Sequence, residues 1–205
     1  MGKVVADITM SLDGFVTGPD DRPGRGLGEG GECLHNWVMG GPWRYGDDGP
    51  RFNPLEVDRA VLAEAMGSIG AGIIGRGMFD VTGGWGGHPP GGDDARYFVL
   101  THAVPAEWAD RKSPFTFVTD GITSALAQAQ KVAGDKNVGI GGGANVIQQY
   151  LAARLVDELR LHIAPVLLGA GKRLFGDLGG QHLELERTKV IESPHATHLF
   201  FTVHP

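Results

Sequence analysis

The stretch with the clearest chemical potential is a short apolar strand that runs through glycines into a helix, at residues 136–150. Val138 and Ile140 alternate as in a strand, whereas the apolar residues after Ala144 recur at helical spacing. The glycines at 141–143 stand between them, and no Ser, Thr or Asp occupies the expected N-cap. The first N–H groups of this helix therefore lack a partner, and a phosphate would suit them. The turn predicts a phosphate site, with a plain tight connection as the alternative.

The same glycines match part of a known nucleotide-binding pattern. Residues 139–144 have the G-x-G-x-x-A spacing of the turn that opens a Rossmann unit. The turn lies late in the chain, however, and Asp157 and Glu158 come too early to be the acidic residue of that pattern. The chain also contains no G-x-x-x-x-G-K-[ST] sequence, so a P-loop kinase is not expected.

Other residues that could do chemistry are scattered. Among the eight histidines, His195 and His198 stand close together, but no third ligand follows nearby, so we predict no metal site. Cys33 is the single cysteine, which excludes an intrachain disulfide and fits a reducing compartment. It lies outside any Cys/His signature, so a nucleophilic role is not expected either.

The composition narrows the class of protein. The chain has 205 residues and a net charge of −6, with acidic and basic residues interspersed, which disfavours a nucleic-acid partner. No apolar run approaches the length of a membrane span, and residues 1–6 lack the apolar region of a signal peptide. These features predict a cytoplasmic protein without a membrane partner.

Periodicity predicts the elements that must position these residues. Strands are predicted at 3–10, 71–75, 97–101, 115–118, 138–140, 158–164, 183–192 and 197–204. Helices are predicted from Asn53 as N-cap to Gly67, over 122–132 with Asp120 as N-cap and Gly134 just past the end, and over 144–154. This order predicts one α/β domain, residues 1–205, with a mixed, mainly parallel central sheet and a C-terminal antiparallel hairpin.

Two glycine-rich stretches, residues 17–53 and 83–92, are longer than ordinary connections. The first carries Trp37, Trp43 and Tyr45. Long loops with aromatic side chains are typical of lids and binding loops, so we expect the first stretch to wall a substrate pocket. A disordered insertion is the alternative.

Four segments in order resemble the dihydrofolate reductase-like superfamily, and more closely the reductase domain of the riboflavin-biosynthesis deaminase-reductase. They are residues 11–16 (Ser-Leu-Asp-Gly-Phe-Val), 74–79 (Ile-Gly-Arg-Gly-Met-Phe), 99–102 (Val-Leu-Thr-His), and the run from the glycines at 141 through 155–159 (Leu-Val-Asp-Glu-Leu) to 163–169 (Ile-Ala-Pro-Val-Leu-Leu-Gly). The resemblance covers residues 3–204. It implies a dihydrofolate reductase-like three-layer fold and an NADPH-dependent reductase.

The resemblance also implies where NADPH would bind. Arg76 would pair with a phosphate, Thr101 and His102 would meet the 2′-phosphate and ribose, and the glycine turn would hold the pyrophosphate. The complete implied set is Gly75, Arg76, Met78, Thr101, His102, Gly141, Gly142, Gly143, Ala144 and Asn145. Arg76 as a surface ion pair, and Thr101 with His102 as an ordinary turn, are the alternatives.

On the substrate side the resemblance singles out Asp13, as the catalytic residue or as a substrate ligand. A carboxylate there could bind a polar group or assist proton delivery, whereas a turn-forming Asp-Gly pair is the alternative. Gly14 and Phe15 complete the substrate residues that the resemblance implies, and Trp37 and Trp43 are expected to join them from the 17–53 stretch. The helix that carries the pterin-binding carboxylate of dihydrofolate reductases here carries Glu56 and Asp58, both outside its apolar pattern, so folate is not predicted.

The resulting hypothesis is a reductase that transfers a hydride from NADPH to a C=N or C=O bond of a small polar substrate, with pterin-like and pyrimidine ribityl-like rings as candidates. A noncatalytic nucleotide-binding module of the same fold is the alternative. The resemblance further implies a homodimer.

Overall fold

A twisted eight-stranded sheet forms the centre of the protein, as seen in a computed structural model that describes residues 2–47, 52–92, 94–176 and 178–204. The strands are β1 (Val4–Ser11), β2 (Phe15–Thr17), β3 (Ile69–Gly75), β4 (Tyr97–Leu100), β5 (Phe115–Val118), β6 (Asn137–Gly142), β7 (Glu158–Ala164), β8 (Lys172–Arg173), β9 (Leu185–Glu192) and β10 (Thr197–Val203). The helices are α1 (Asn36–Met39), α2 (Glu56–Ser68), α3 (Arg76–Val81), α4 (Ile122–Ala133) and α5 (Ala144–Ala152). Short 3₁₀ turns cover Gly31–His35 and Ala106–Trp108, and a tight turn covers Gly83–Gly87.

The strand order of the large sheet is β5-β4-β3-β6-β1-β7-β10-β9. The first six of these strands are parallel, and β10 runs antiparallel to both β7 and β9. The short strands β2 and β8 pair with each other outside this sheet. The predicted mixed, mainly parallel sheet with a C-terminal antiparallel hairpin is therefore confirmed.

Helices cover both faces of the sheet and give three layers. Helices α4 and α5 pack on one face, where Ile73 of β3 and Ile140 of β6 are fully buried. The neighbouring Ile74 points to the opposite face and packs with Phe79 of α3, while Trp37 of α1 and Val61 of α2 cover the C-terminal part of that face. Parallel strands buried on both sides explain the continuous apolar runs of the sequence.

Two predicted helix caps are wrong. The N-cap of α2 is Leu55 rather than Asn53, because the Asn53 backbone passes close to Gly40 and the chain stays extended until Leu55. The N-cap of α4 is Gly121, and the Asp120 side chain does not cap the helix. Gly134 does end α4, with a left-handed φ of 61° and its N–H donating to the carbonyl oxygen of Gln130.

The two long connections contain more structure than their glycine content predicted. In the described part of the first stretch, residues 17–47 and 52–53, the chain forms the end of β2, a 3₁₀ turn and α1. The second stretch opens with a tight turn in which Gly84, Trp85 and Gly86 have left-handed backbone angles. Trp85 lies 6.0 Å from the ring of Tyr97 and 6.4 Å from that of Phe115, centroid to centroid. Aromatic packing therefore anchors part of the second connection to the sheet.

None of the helices in the described ranges is long and apolar enough to cross a bilayer.

Candidate active site

The carboxyl ends of β1, β3, β4 and β6 open into a crevice with a volume of about 1420 Å³. Open α/β sheets bind ligands at this edge of the sheet. The volume exceeds the roughly 300–1,000 Å³ of an ordinary small-molecule pocket, so two ligands could lie here side by side.

Every residue predicted to bind cofactor lines this crevice. They are Gly75, Arg76, Met78, Thr101, His102, Gly141, Gly142, Gly143, Ala144 and Asn145. Three separate strand ends, those of β3, β4 and β6, bring them together. Their role in binding NADPH stays a prediction.

The glycine turn between β6 and α5 presents bare backbone to the crevice. Gly142 has a φ of +121°, and a Cβ added there would lie 3.4 Å from the Met78 sulfur. Gly143 is the N-cap of α5 and no side chain caps the helix, as the sequence predicted. The first backbone N–H groups of α5 are thus available to a ligand in the crevice.

Arg76 extends from the start of α3 toward the loop after β4. Its Nε donates to Asp80 Oδ1 at 2.6 Å and its Nη1 to the carbonyl oxygen of Ala103 at 3.3 Å. Thr101 Oγ1 donates to the same carbonyl oxygen at 2.8 Å. The Arg76 side chain is 37% exposed and its guanidinium has further N–H groups, which leaves donors for an anion.

The predicted substrate residues divide into two groups. Trp37 and Trp43 line the crevice, with Tyr45 5.2 Å from Trp43 between ring centroids. Asp13, Gly14 and Phe15 lie outside the crevice lining. Their turn is instead held against the loop after β7 and under β8, where the Arg173 guanidinium covers the Phe15 ring at 4.4 Å.

The surroundings of Asp13 do not suit a proton donor. Its carboxylate accepts hydrogen bonds from Ser11 Oγ at 2.6 Å and from the backbone N–H groups of Gly169 and Leu168 at 2.8 and 3.1 Å. These bonds, the one from Ser11 first, lower the pKa of Asp13 to about 2. The side chain is therefore ionised at neutral pH and ties two loops together.

A chain of four titratable side chains runs from the crevice into the protein. Asp7 Oδ1 lies 2.9 Å from His162 Nε2, His162 Nδ1 lies 2.7 Å from His198 Nδ1, and His198 Nε2 lies 2.9 Å from Asp58 Oδ1. Asp7 and His162 line the crevice, whereas His198 and Asp58 are completely buried. We call these four residues the Asp-His-His-Asp chain.

The register of three strands builds this chain. Thr9 of β1, His162 of β7 and His198 of β10 are partners in neighbouring strands and so share one face of the sheet. Asp58 reaches that face from α2. Burial lowers the pKa of His198, with the neighbouring His162 acting in the same direction and Asp58 opposing both.

The expected placement of Asp58 outside the apolar face of α2 is wrong. Asp58 precedes Val61 and Leu62 by three and four residues, so all three side chains share the inward face of the helix. The spacing of Asp58, Val61 and Leu62 was the signal in the sequence that Asp58 faces the core. Asp7, His162 and His198 gave only a weak signal, a polar residue at an inward position of an apolar strand.

Among the residues that the structure describes, no group of three or more His, Cys, Asp and Glu side chains has the arrangement of a metal site. The crevice lining also includes Lys172, which pairs with Asp21, and Arg173, whose Nη1 donates to the carbonyl oxygen of Asp13 at 3.1 Å. Basic side chains therefore lie at two places in the crevice, Arg76 and β8.

The statistical model of the RibD C-terminal domain matches residues 2–199. The chain therefore belongs to the RibD C-terminal domain family. A curated relative, the uncharacterized protein YyaP from Bacillus subtilis strain 168, is 26% identical over 201 residues, covering 93% of this chain and 90% of YyaP.

Solved structures of the same fold agree with the family. A protein from Shewanella sp. PV-4 named for riboflavin biosynthesis superposes with a TM-score of 0.67 at 22% identity, with 99% of each chain covered. Dihydrofolate reductase from Enterococcus faecalis, solved with NADP(H) and RAB-propyl, gives 0.56 at 17% identity, covering 100% of this chain and 98% of the reductase. The predicted dihydrofolate reductase-like fold is confirmed, and family and fold together support a reductase-type function.

Proposed function

We propose that this protein is an NADPH-dependent reductase that transfers a hydride to a C=N or C=O bond of a small polar substrate. The observation that carries the proposal is the meeting of the implied cofactor residues from three strand ends in one crevice. The crevice is also large enough for a dinucleotide and a second ligand.

The residues present fit the cofactor. The turn at Gly142 exposes backbone that a side chain would cover, and the uncapped start of α5 offers N–H groups to a pyrophosphate. Arg76, beside Thr101 and His102, would hold the 2′-phosphate that distinguishes NADPH from NADH. When bound, NADPH supplies the hydride, and the protein supplies position and electrostatics.

The substrate would lie on the other side of the crevice, between Trp37, Trp43 and the Asp7 end of the Asp-His-His-Asp chain. Flat aromatic walls suit a ring, and a carboxylate suits a polar N–H or O–H group on that ring. This chemistry supports pterin-like or pyrimidine ribityl-like substrates. We do not propose Asp13 as the donor, because its carboxylate is held ionised outside the crevice.

Two measurements test the proposal in sequence. Titration of the protein with NADPH, followed by the fluorescence of the reduced nicotinamide, should show saturable binding. NADPH oxidation should then be measured against pterins, pyrimidine ribityl compounds, flavins and quinones. Oxidation with one class supports the reductase; tight binding without turnover on any of them favours a noncatalytic nucleotide-binding module, and absence of binding contradicts both.

The homodimer and the cytoplasmic location stay predictions. Light scattering across a range of protein concentrations would test the first, and fractionation of cells that express the protein would test the second.

A further inference from the structure

The protons of the Asp-His-His-Asp chain can be counted from its geometry. The chain contains three short contacts between polar atoms, at 2.9, 2.7 and 2.9 Å. Each side-chain atom in these contacts is a carboxylate oxygen or a ring nitrogen, and a contact this short requires one proton between the two atoms. Three contacts therefore need three protons.

Ordinary ionisation would supply only two protons. With Asp7 and Asp58 ionised and both imidazoles neutral, each ring would donate its Nε2–H to its own aspartate. The two Nδ1 atoms would then face each other with lone pairs at 2.7 Å, which is repulsive. A third proton must lie in the chain, and its net charge is then −1.

The surroundings indicate where the remaining negative charge lies. Asp58 is completely buried, and its Oδ2 has no hydrogen-bond partner among the described residues. The Asp7 side chain is 26% exposed, at the crevice. An unpaired buried carboxylate is costly, which favours the negative charge at Asp7 and a proton at Asp58. Each group then donates toward the crevice: Asp58 to His198, His198 to His162, and His162 to Asp7.

We propose, building on the reductase function above, that Asp7 is the proton donor of the reduction and that Asp58, His198 and His162 supply its proton. A concerted shift moves one proton along each contact and leaves Asp7 protonated and Asp58 ionised. The Asp7 proton would go to the oxygen or nitrogen of the substrate double bond, while bound NADPH would supply a hydride to its carbon. The double bond would gain two electrons, which the nicotinamide would lose.

The residues that surround the Asp-His-His-Asp chain do not compete for its protons. Trp37 packs against both imidazoles, with ring centroids 4.5 and 5.0 Å away, and its Nε1–H donates to Thr9 Oγ1 at 3.0 Å. His35 also lies beside the chain, but burial first, and then repulsion from His162, lower its pKa to about 4. His35 is thus neutral at neutral pH. Arg160, the β7 partner of Asp7, is paired with Glu158 at 3.0 Å.

After donation the chain holds two protons, and the lone pair of His162 Nε2 faces the ionised carboxylate of Asp7. That state is unfavourable, so the chain takes up a proton again through Asp7, its end at the crevice. Reloading from solvent requires an open crevice, which links proton uptake to product release.

The proton count can be tested without a substrate. In the apoprotein labelled with ¹⁵N-histidine, we expect a scalar coupling between the Nδ1 atoms of His162 and His198 across one shared proton at neutral pH. Loss of the signals in His198→Gln assigns them. Two unprotonated Nδ1 atoms with no coupling would overturn the proposal, whether or not the protein is a reductase.

The donor role is tested with the acceptor that the NADPH oxidation screen identifies. Asp7→Asn should lower kcat by roughly 10²- to 10⁴-fold, the usual contribution of a general acid, with NADPH affinity unchanged. Asp58→Asn can still donate to His198 through its amide, so the Nδ1 coupling should persist while kcat falls and its pH profile moves to lower pH. The matched control is Glu64→Gln, which removes an exposed carboxylate of the same helix that pairs with Lys189. This variant should change neither kcat with its pH profile nor the Nδ1 coupling.

A normal kcat in Asp7→Asn, with the Nδ1 coupling present in the wild type, would overturn the donor role while leaving the reductase proposal standing. An unchanged pH profile in Asp58→Asn would overturn the supply role of the chain. Absence of NADPH binding would instead remove the reductase proposal, and the ¹⁵N spectrum would still decide the proton count.

Discussion

At the scale of single residues, Arg76 connects two strand ends of the crevice. It starts α3 directly after β3 and reaches the carbonyl oxygen of Ala103 in the loop after β4. Its partner Asp80 is an exposed carboxylate one helical turn further on, and exposed pairs of this kind contribute little stability. The surface ion pair that the sequence offered as the alternative is therefore present, and the proposed phosphate contact of Arg76 needs its own test.

We expect Arg76→Ala to weaken NADPH binding more than NADH binding. Loss of a charge-assisted contact to a 2′-phosphate should cost about 1.5–3 kcal/mol, or roughly 10- to 150-fold in Kd. Titration of both nucleotides measures the difference. Arg111→Ala, an arginine stacked on Trp108 away from the crevice lining, is the control. Equal affinity of the wild type for NADPH and NADH would contradict the assignment.

Gly142 is the residue at which a side chain should be least compatible with a cofactor. Gly142→Val places a branched side chain at a φ of +121° beside Met78, so we expect loss of NADPH binding together with lower stability. Gly143→Ala separates the loss of NADPH binding from the loss of stability, because no protein atom lies within 4 Å of the added Cβ. Gly67→Ala, in α2 with equally open space, is the control and should bind normally. A folded Gly142→Val that binds NADPH normally would show that the phosphate lies elsewhere.

At the scale of elements, the turn at 11–15 and the loop after β7 are joined by Asp13. Because the pKa of Asp13 is lowered from its usual 3.8 to about 2 in the folded protein, its contribution to stability is present above pH 3.8. The contribution is lost as the pH falls through that range toward 2. We expect Asp13→Asn to be less stable than the wild type at neutral pH, and the difference to vanish near pH 2 in denaturant unfolding. A constant difference across that range would contradict the assignment.

The 17–53 stretch contains one segment that packs on the sheet and another that lines the crevice. Trp37 is buried and its Nε1–H donates to Thr9 Oγ1, which holds α1 against the sheet. Trp43 and Tyr45 line the crevice further along the chain. We expect hydrogen exchange to slow on NADPH and substrate binding at 41–47, with little change at 31–39. Identical exchange with and without ligands in both parts would contradict a lid.

The same elements show why the sequence predicted one side of the site better than the other. Gly75, Arg76 and the glycines at 141–143 lie at predicted strand ends, and strand ends of a parallel sheet meet at one edge. The Asp-His-His-Asp chain depends on the register of β1, β7 and β10 and on the rotation of α2. Register is set by tertiary pairing, so residues 7, 58, 162 and 198 carried no shared local pattern.

At the scale of the whole molecule, the sheet places two kinds of chemistry on either side of the glycine turn. The strands β3, β4 and β6 carry backbone N–H groups and Arg76, which suit phosphates, while β1 and β7 carry Asp7 and His162, which suit proton transfer. A reductase needs both within reach of one substrate. The order β3-β6-β1-β7 makes them neighbours.

The structure of the protein crystallised with NADPH tests this account most directly. We expect the pyrophosphate against the backbone of residues 141–144, the 2′-phosphate at Arg76, and the nicotinamide in the part of the crevice that Asp7 lines. NADPH bound with its phosphates away from the glycine turn, or with the nicotinamide directed away from Asp7, would contradict it.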